Sequence, residues 1–362
     1  MFIIALIPLL AAVFDIAVSC FVALSPYEIA QIGEPGMKVK RRVQVTSNSD
    51  DGKQWSVEQN TQQMQSTDDA FIGKDLPHFH HHANATMYVG SGVTRNLPEH
   101  LEDIKLLYAS FSDVVTHNRN YIVIYGEGDW TVALTRATGV NDGPIFGLDG
   151  GLLAPTFRAI NPTIMTIAHW NGGQMIEEYL WQDPVTMYRQ LGFLPIRPAK
   201  NLPEIGQNPL PGKLGEEDPA ANKAKLMESD NAFNAGKFDA QSLRLSPHVT
   251  VYGFDDEGSN LEGLLEQLKA LKTAFPDLQI GNKPYRQVIV QGEWTTTIAM
   301  LSGTHEGALT LPVYLAAAPV AATGRKFNLL HYTICRWRDG QIVEMRVNID
   351  WFGIIGALGI SL

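Results

Sequence analysis

Three side chains near the C-terminus have the types and spacing of an acid/base site. His331, Glu344 and Asp350 fall within a stretch of 20 residues, on what read as two neighbouring strands. An imidazole beside a carboxylate can take a proton from a substrate and return it, since each group shifts the pKa of the other. We predict that Asp350 is the acid or base of such a site and that His331 and Glu344 support it.

The two-residue period of a strand decides which of these side chains meet. In "QIVEMRVNID" one face of the strand is polar and carries Glu344, Arg346, Asn348 and Asp350. His331, on the preceding strand, is expected to lie opposite Glu344 across the hairpin. A carboxylate that faces a pocket would have its pKa raised by desolvation. The alternative is structural: Glu344 and Arg346 pair on the surface, Asp350 caps the next helix, and His331 is a core residue.

A second group of residues is predicted to contact a ligand. Its aromatic members offer a large apolar surface with a polar edge, which suits the wall of a pocket, although core packing explains them equally well. The predicted ligand contacts are Tyr88, Trp130, Tyr179, Trp181, Asp183, Tyr252, Trp294 and Asn348.

The run "HFHHH" at residues 78–82 suggests a metal site. In a helix, His78 and His82 would share a face four residues apart, and paired histidines are common zinc ligands. An acidic third ligand does not follow at a clear spacing. We therefore predict no metal site from this run.

The segments that must position these residues occur twice along the chain. "HWNGGQMIEEYLWQD" begins at His169 and "RWRDGQIVEMRVNID" begins at Arg336, an offset of 167 residues. Upstream the offset is 164 residues, as between Tyr88 and Tyr252. This period is the length of a domain and is far longer than a solenoid repeat. The chain is therefore predicted to contain two copies of one domain.

Each copy is predicted to place helices before long strands. "ANKAKLMESDNAFNAG" and "LEGLLEQLKALKTAF" read as helices, and the strands after them end in a hairpin joined at "RDG", where the first copy has "NGG". This order predicts an α+β cone, in which a curved antiparallel sheet wraps over helices and leaves a pocket. The predicted domains are residues 55–195 and 222–362, joined by a Pro- and Gly-rich linker at 196–221.

Several motifs resemble those of a known family. They are "AFPD", "GEW", "GTHEG", "TGR" and "RWRDGQIVEMRVNID" in the second copy, with "GDWTVALTRATG" and "MTIAHWNGGQMIEEYLWQD" in the first. Together they resemble the SnoaL-like polyketide cyclase and ester cyclase branch of the nuclear transport factor 2-like superfamily. The resemblance implies tandem cone-shaped α+β barrels with apolar pockets, no cofactor, and acid/base chemistry on a small apolar carbonyl compound or ester. A non-catalytic protein that binds a small apolar ligand fits the same fold.

Composition and the N-terminal segment limit the partners. A formal net charge of -10 argues against nucleic-acid binding, which draws on clustered Lys and Arg. The expected partners are a small apolar molecule and, within the chain, the other domain, packed sheet to sheet as a pseudo-dimer. Residues 1–24 are apolar with one charge, Asp15, and read as a signal or anchor segment or as an extra helix. The first reading predicts a secreted or membrane-anchored protein, with membrane contact through this segment only; the second predicts a cytoplasmic one.

Overall fold

The computed structural model describes residues 54–90, 92–117, 121–147, 151–194, 217–253, 259–312 and 315–361. We refer to residues 54–194 as the first half and to residues 217–361 as the second half. The predicted targeting segment at residues 1–24 lies outside the described residues. Within those described ranges, no helix has both the length and the apolar character needed to cross a membrane.

The first half starts with a helix whose N-terminus is fixed by a capping box. The Ser56 side chain accepts a hydrogen bond from the Gln59 backbone, and the Gln59 side chain accepts one from the Ser56 backbone. Asn96 and Glu99 repeat this arrangement at the second helix. The elements are α1 (Val57–Ile72), a 3-10 turn (Leu76–His78), β1 (His81–Tyr88), β2 (Thr94–Asn96), α2 (Leu97–Ser110), β3 (Val115–Thr116), β4 (Val123–Glu127), β5 (Trp130–Val140), β6 (Ile145–Phe146), β7 (Leu152–Leu153), β8 (Ala159–Ile160), β9 (Thr163–Asn171), β10 (Gln174–Gln182) and α3 (Pro184–Leu191).

The second half has the predicted order of helices followed by long strands. Its first helix begins at Pro219, because the Asp218 side chain caps it there, so the helix starts inside the segment predicted as linker. The elements are α4 (Pro219–Asn234), β11 (Leu245–Tyr252), α5 (Leu261–Ala274), β12 (Gln279–Ile280), β13 (Gln287–Gln291), β14 (Trp294–Thr304), β15 (Lys326–Arg338), β16 (Gln341–Val347) and α6 (Trp351–Leu358).

Each half contains one large sheet, and the strands that have a counterpart in both sheets follow the same order. The order is β2-β1-β10-β9-β5-β3 in the first half, with β4 and β8 also paired to β5. In the second half it is β11-β16-β15-β14-β12, with β13 also paired to β14. The pairs β1 with β10 and β11 with β16 are parallel, so the sheets are mixed and not antiparallel throughout. The predicted α+β class is confirmed.

The register of the parallel pair is the same in the two sheets. His81 pairs with Met175 in the first half, and Leu245 pairs with Ile342 in the second. These partners differ by 164 and 167 residues, which are the two offsets of the sequence repeat. Residues related by these offsets therefore occupy equivalent positions in the two halves.

The two sheets pack against each other through one face. A cluster of buried apolar side chains joins Tyr125 and Tyr179 of the first half to Ile298 of the second. The hydroxyl groups of Tyr125 and Thr296 share a hydrogen bond across this contact. Removal of the apolar surface from water supplies most of the free energy that holds the halves together.

Candidate functional site

The second half contains a cavity between its sheet and its helices. The cavity has a volume of about 70 Å³. Its polar lining residues are Ser229, Asp230, His331 and Thr333. The rest of the wall is apolar and includes Leu245, Leu264, Met345, Val347 and Ile349. A few polar groups in an apolar wall are typical of sites that bind small molecules.

Asp230 supplies a carboxyl group to this cavity. It lies on α4, and the Tyr285 hydroxyl donates a hydrogen bond to its Oδ2 over 2.7 Å. Burial raises the pKa of Asp230 to about 6, and the hydrogen bond from Tyr285 opposes the rise. A carboxyl group with a pKa this close to neutrality can both accept and return a proton.

His331 lines the same cavity in a fixed orientation. Its Nδ1 lies 3.0 Å from the backbone oxygen of Asn348, and its Nε2 lies 3.1 Å from the Thr333 hydroxyl. Because a carbonyl oxygen only accepts, Nδ1 carries the proton and Nε2 accepts from Thr333. Burial lowers the pKa of His331 to about 4. The imidazole is therefore uncharged at neutral pH.

The first half repeats the pairing of a carboxyl group with a tyrosine. Asp68 accepts a hydrogen bond from the Tyr121 hydroxyl. Asp68 and Asp230 are each the twelfth residue of their helices, and Tyr121 and Tyr285 differ by the repeat offset of 164 residues. Burial raises the pKa of Asp68 to about 7. The hydrogen bond from Tyr121 opposes this rise, and the negative charge of Glu178 adds to it.

The first half also contains a buried polar cluster. The Nε2 atoms of His81 and His100 lie 3.2 and 3.6 Å from Oε2 of Glu178. Burial lowers the pKa of His100 to about 4, so this imidazole is neutral. Burial disfavours the charge of Glu178, but the hydrogen bond with His81 opposes this effect, and the pKa of this carboxyl group is lowered.

The predicted contact between His331 and Glu344 is wrong. Glu344 pairs with Arg336, close to the turn, whereas Thr333 pairs with Val347. The tight turn between β15 and β16 fixes this register, so His331 lies several residues beyond the reach of Glu344.

The polar face of β16 is also not the cavity face. Met345 and Val347 line the cavity, and alternate side chains of a strand point to opposite faces. Glu344 and Arg346 therefore lie on the other face, where Arg346 Nε donates to Glu344 Oε1 at 2.7 Å. This is the ion pair that the structural alternative predicted.

Asp350 and Asp183 cap the helices that follow their strands. Asp350 Oδ1 accepts from the Gly353 backbone at 2.8 Å, and Asp183 Oδ1 accepts from the Thr186 backbone at 3.0 Å. The capping alternative for Asp350 is thus what the structure shows. A part for Asp350 in proton transfer, and for Asp183 in ligand contact, stays a prediction.

The aromatic residues predicted to contact a ligand lie mainly where the two sheets meet. Arg286 of the second half lies over the rings of Tyr88 and Tyr179 of the first, at 4.3 and 5.2 Å. A cation over two rings holds these side chains in the contact between the halves. Five of these aromatic residues belong to the buried apolar cluster between the two sheets or pack against it: Tyr88, Trp130, Tyr179, Trp181 and Trp294.

Tyr252 and Asn348 have partners of their own. The Arg346 guanidinium lies 4.2 Å above the Tyr252 ring. The Asn348 side chain accepts a hydrogen bond from the Tyr332 backbone, and its backbone oxygen orients His331. Asn348 therefore acts on the cavity by orienting His331, which lines it.

Four polar residues were not predicted from the sequence: Asp68, Tyr121, Asp230 and Tyr285. A signal for the acids was present, since "STDDAF" and "ESDNAF" place Asp68 before "DAF" and Asp230 before "NAF" at the same point of the first helix in each half. Both tyrosines recur at the repeat offset as well. A polar pair that recurs in two otherwise different copies is the pattern that would have identified them.

One family model matches the second half, and several solved structures are similar to part of the chain. Residues 225–358 match the family model described as SnoaL-like polyketide cyclase. IdmH from Streptomyces antibioticus is 21% identical over 37% of this chain and 99% of its own, with a TM-score of 0.33. TsrD from Streptomyces laurentii is 20% identical over 39% of this chain and 99% of its own, with a TM-score of 0.34. A SnoaL-like polyketide cyclase from Agrobacterium tumefaciens is 14% identical over 37% of this chain and 94% of its own, with a TM-score of 0.29. No curated protein matches the chain.

Proposed function

We propose that the cavity of the second half, in which residues 225–358 match the family model described as SnoaL-like polyketide cyclase, carries out cofactor-free acid/base chemistry on a small apolar carbonyl compound or ester. One observation carries the proposal: Asp230 lines an apolar cavity with the Tyr285 hydroxyl 2.7 Å from its carboxylate. A wall of aliphatic side chains alone would favour binding without chemistry. A desolvated carboxyl group with a fixed partner has the properties of a general base.

The proposed reaction begins at a carbon next to the carbonyl group of the bound molecule. Asp230 is mostly ionised at neutral pH, because its pKa is about 6, and it takes a proton from that carbon. The electron pair of the broken C–H bond forms an enolate, which attacks an acceptor carbonyl carbon in the same molecule. The proton on Asp230 then passes to the new alkoxide, so the ring closes without a cofactor.

Tyr285 and His331 have positioning roles in this proposal. The Tyr285 hydroxyl holds the carboxylate of Asp230 in one orientation and stabilises its charge. The neutral His331, with its Nε2 directed at Thr333, offers a polar contact in an otherwise apolar wall. Such convergent polar groups orient a substrate whose remaining surface is apolar.

The first experiment identifies the ligand by native mass spectrometry of the full chain purified from the producing cell. Asp230→Asn keeps the shape of the side chain but accepts a proton poorly, so we expect turnover of that ligand to fall by about 100-fold or more. Asp68→Asn, at the equivalent position of the first half, is the matched control and should leave this turnover unchanged. Equal turnover in Asp230→Asn and the wild type would refute the proposal.

The pH profile tests the role of Tyr285. The hydrogen bond from Tyr285 lowers the pKa of Asp230, so Tyr285→Phe should move the acidic limb of the rate profile to higher pH. An unchanged limb, with Asp230→Asn still inactive, would show that Tyr285 does not set the protonation of Asp230.

Ligand binding without chemistry is the second candidate function, and the mostly apolar wall of the cavity favours it. A trapped molecule that leaves the protein unaltered and binds Asp230→Asn as tightly as the wild type would select this candidate.

We also propose that the first half is a second copy of the same domain and that the halves form a pseudo-dimer within one chain. The shared strand order, the shared repeat offsets and the two aspartate–tyrosine pairs support this proposal. Sedimentation velocity should give a compact particle with the mass of one chain. An extended particle, with the two halves apart, would contradict it.

A further inference from the structure

We propose that His81, His100 and Glu178 form a binding site for one divalent transition-metal cation in the first half. The site is separate from the cavity of the second half, for which the acid/base function is proposed. It also departs from the sequence-based prediction that the "HFHHH" run has no metal-binding role.

The three side chains converge from three elements of the fold. His81 begins β1, His100 lies in the first turn of α2, and Glu178 lies at the centre of β10. Their exposed fractions are 6%, 3% and 6%, so all three are buried. No local sequence spacing links them, which is why the third ligand was not found near the histidine run.

The distances suit a shared cation. The ligand atoms of the three residues all lie within 4.8 Å of one another. The two Nε2 atoms are 3.2 and 3.6 Å from the same carboxylate oxygen of Glu178. Ligand atoms bound to one cation at roughly 2.0–2.2 Å lie roughly 3.0–3.6 Å apart. The two N···O separations fall in that range.

The second half shows that the fold does not require these polar residues. The equivalent positions there hold Leu245, Leu264 and Met345, all of which line its apolar cavity. Burial of two imidazoles and a carboxylate at positions that accept aliphatic side chains costs free energy. A cation bound by all three groups offsets that cost, and packing alone does not explain their presence.

The donor set indicates the class of metal. Two imidazoles with one carboxylate is a set that binds Zn²⁺ and Fe²⁺, whereas Ca²⁺ and Mg²⁺ prefer oxygen ligands. Three protein ligands leave coordination positions for water or a small molecule.

Co²⁺ is the probe for this site, because its visible absorption reports on coordination by nitrogen and oxygen. The full chain is stripped with a chelator and titrated with Co²⁺, and we expect one equivalent to bind per chain. The triple variant H81L/H100L/E178M carries the residues of the second half at these positions, so it should fold and lose the absorption. Glu178→Gln, which keeps the side-chain volume, should weaken binding by more than about 100-fold.

The neighbouring histidines provide the matched control. His78 and His82 belong to the same run but not to the cluster, so H78A/H82A should bind Co²⁺ as the wild type does. Thermal unfolding of each variant without metal separates loss of the site from loss of the fold. The proposal is overturned if the wild type takes up less than one equivalent at micromolar Co²⁺, or if folded Glu178→Gln binds as tightly as the wild type.

Discussion

Glu127 and Gln291 occupy equivalent positions in the two halves, and each accepts a hydrogen bond from the backbone of the other half. Gln291 Oε1 accepts from the N–H of Gly126 at 2.8 Å, and Glu127 Oε2 accepts from the N–H of Val290 at 2.9 Å. Gly126 and Val290 are themselves separated by the repeat offset of 164 residues. A contact that recurs with its partners exchanged has the form of a two-fold symmetric interface.

Loss of these two hydrogen bonds should weaken the contact between the halves. Glu127→Ala and Gln291→Ala are each expected to lower the free energy of unfolding by about 1 kcal/mol, because each leaves a backbone N–H without its partner. Urea unfolding measures the change, and Glu306→Ala, at an exposed glutamate, should lie close to the wild type. A double variant as stable as the wild type would show that the bonds contribute nothing.

Arg286 should contribute through its two tyrosine rings. Arg286→Ala removes a guanidinium that lies over Tyr88 and Tyr179, and we expect a loss of about 1–2 kcal/mol in the free energy of unfolding. Arg286→Lys should recover only part of this loss, because a compact ammonium group stacks less well than a planar guanidinium. Full recovery by lysine would mean that charge alone, without stacking, accounts for the contact.

Asp350 can be tested for capping and for chemistry with two substitutions. Asp350→Ala should lower the free energy of unfolding by about 1 kcal/mol, whereas Asp350→Asn should stay within a few tenths, because asparagine caps helices as well as aspartate does. Asp183→Ala and Asp183→Asn form the matched pair at the equivalent helix. If Asp350→Asn is as stable as the wild type but no longer turns over the identified ligand, the predicted role of Asp350 in proton transfer is supported. If turnover of that ligand is unchanged, helix capping is the role of Asp350.

The stability of the protein should depend on His331 below neutral pH. An unfolded histidine takes up a proton near pH 6.5, but buried His331 does so only near its pKa of about 4. Its contribution is therefore present above pH 6.5 and is lost as the pH falls toward 4. His331→Ile carries the residue that the first half has at this position. As the pH falls from 7 to 4, its free energy of unfolding should rise by about 2–3 kcal/mol relative to that of the wild type.

Urea unfolding of both proteins at each pH gives this difference, and the comparison cancels the titration of other groups. Asp68 and Asp230 are two of these groups, and their raised pKa values have the opposite sign: their contributions are present at low pH and are lost as the pH rises through about 7 and about 6. A wild-type to His331→Ile difference that does not change with pH would contradict the assignment of a buried neutral imidazole.

Much of the fold could be predicted from the sequence because its signals are local. "LEGLLEQLKALKTAF" predicts a helix, and Leu261–Ala274 is that helix. The turn "RDG" predicts a hairpin, and Asp339 and Gly340 adopt the positive φ values of 51° and 72° that a tight turn requires. In such cases side-chain period and turn chemistry are contained in a few adjacent residues.

The site could be predicted only in part, because the choice of inner face is not a local property. Alternation correctly separates Glu344 and Arg346 from Met345 and Val347, yet it does not say which pair faces the cavity. Aromatic residues such as Tyr179 suggest a pocket wall, but the other half covers them instead. The cluster of His81, His100 and Glu178 forms only when strands and helix distant in sequence come together.

The differences between equivalent positions of the two halves have a consequence for how this architecture can evolve. A pair of identical subunits carries every substitution twice, once in each subunit, so both subunits change together. Here Glu178 stands where the other half has Met345, and a change at one position leaves the other untouched. Because both halves are encoded in one chain, one half can change at such a position while the other half stays as it is.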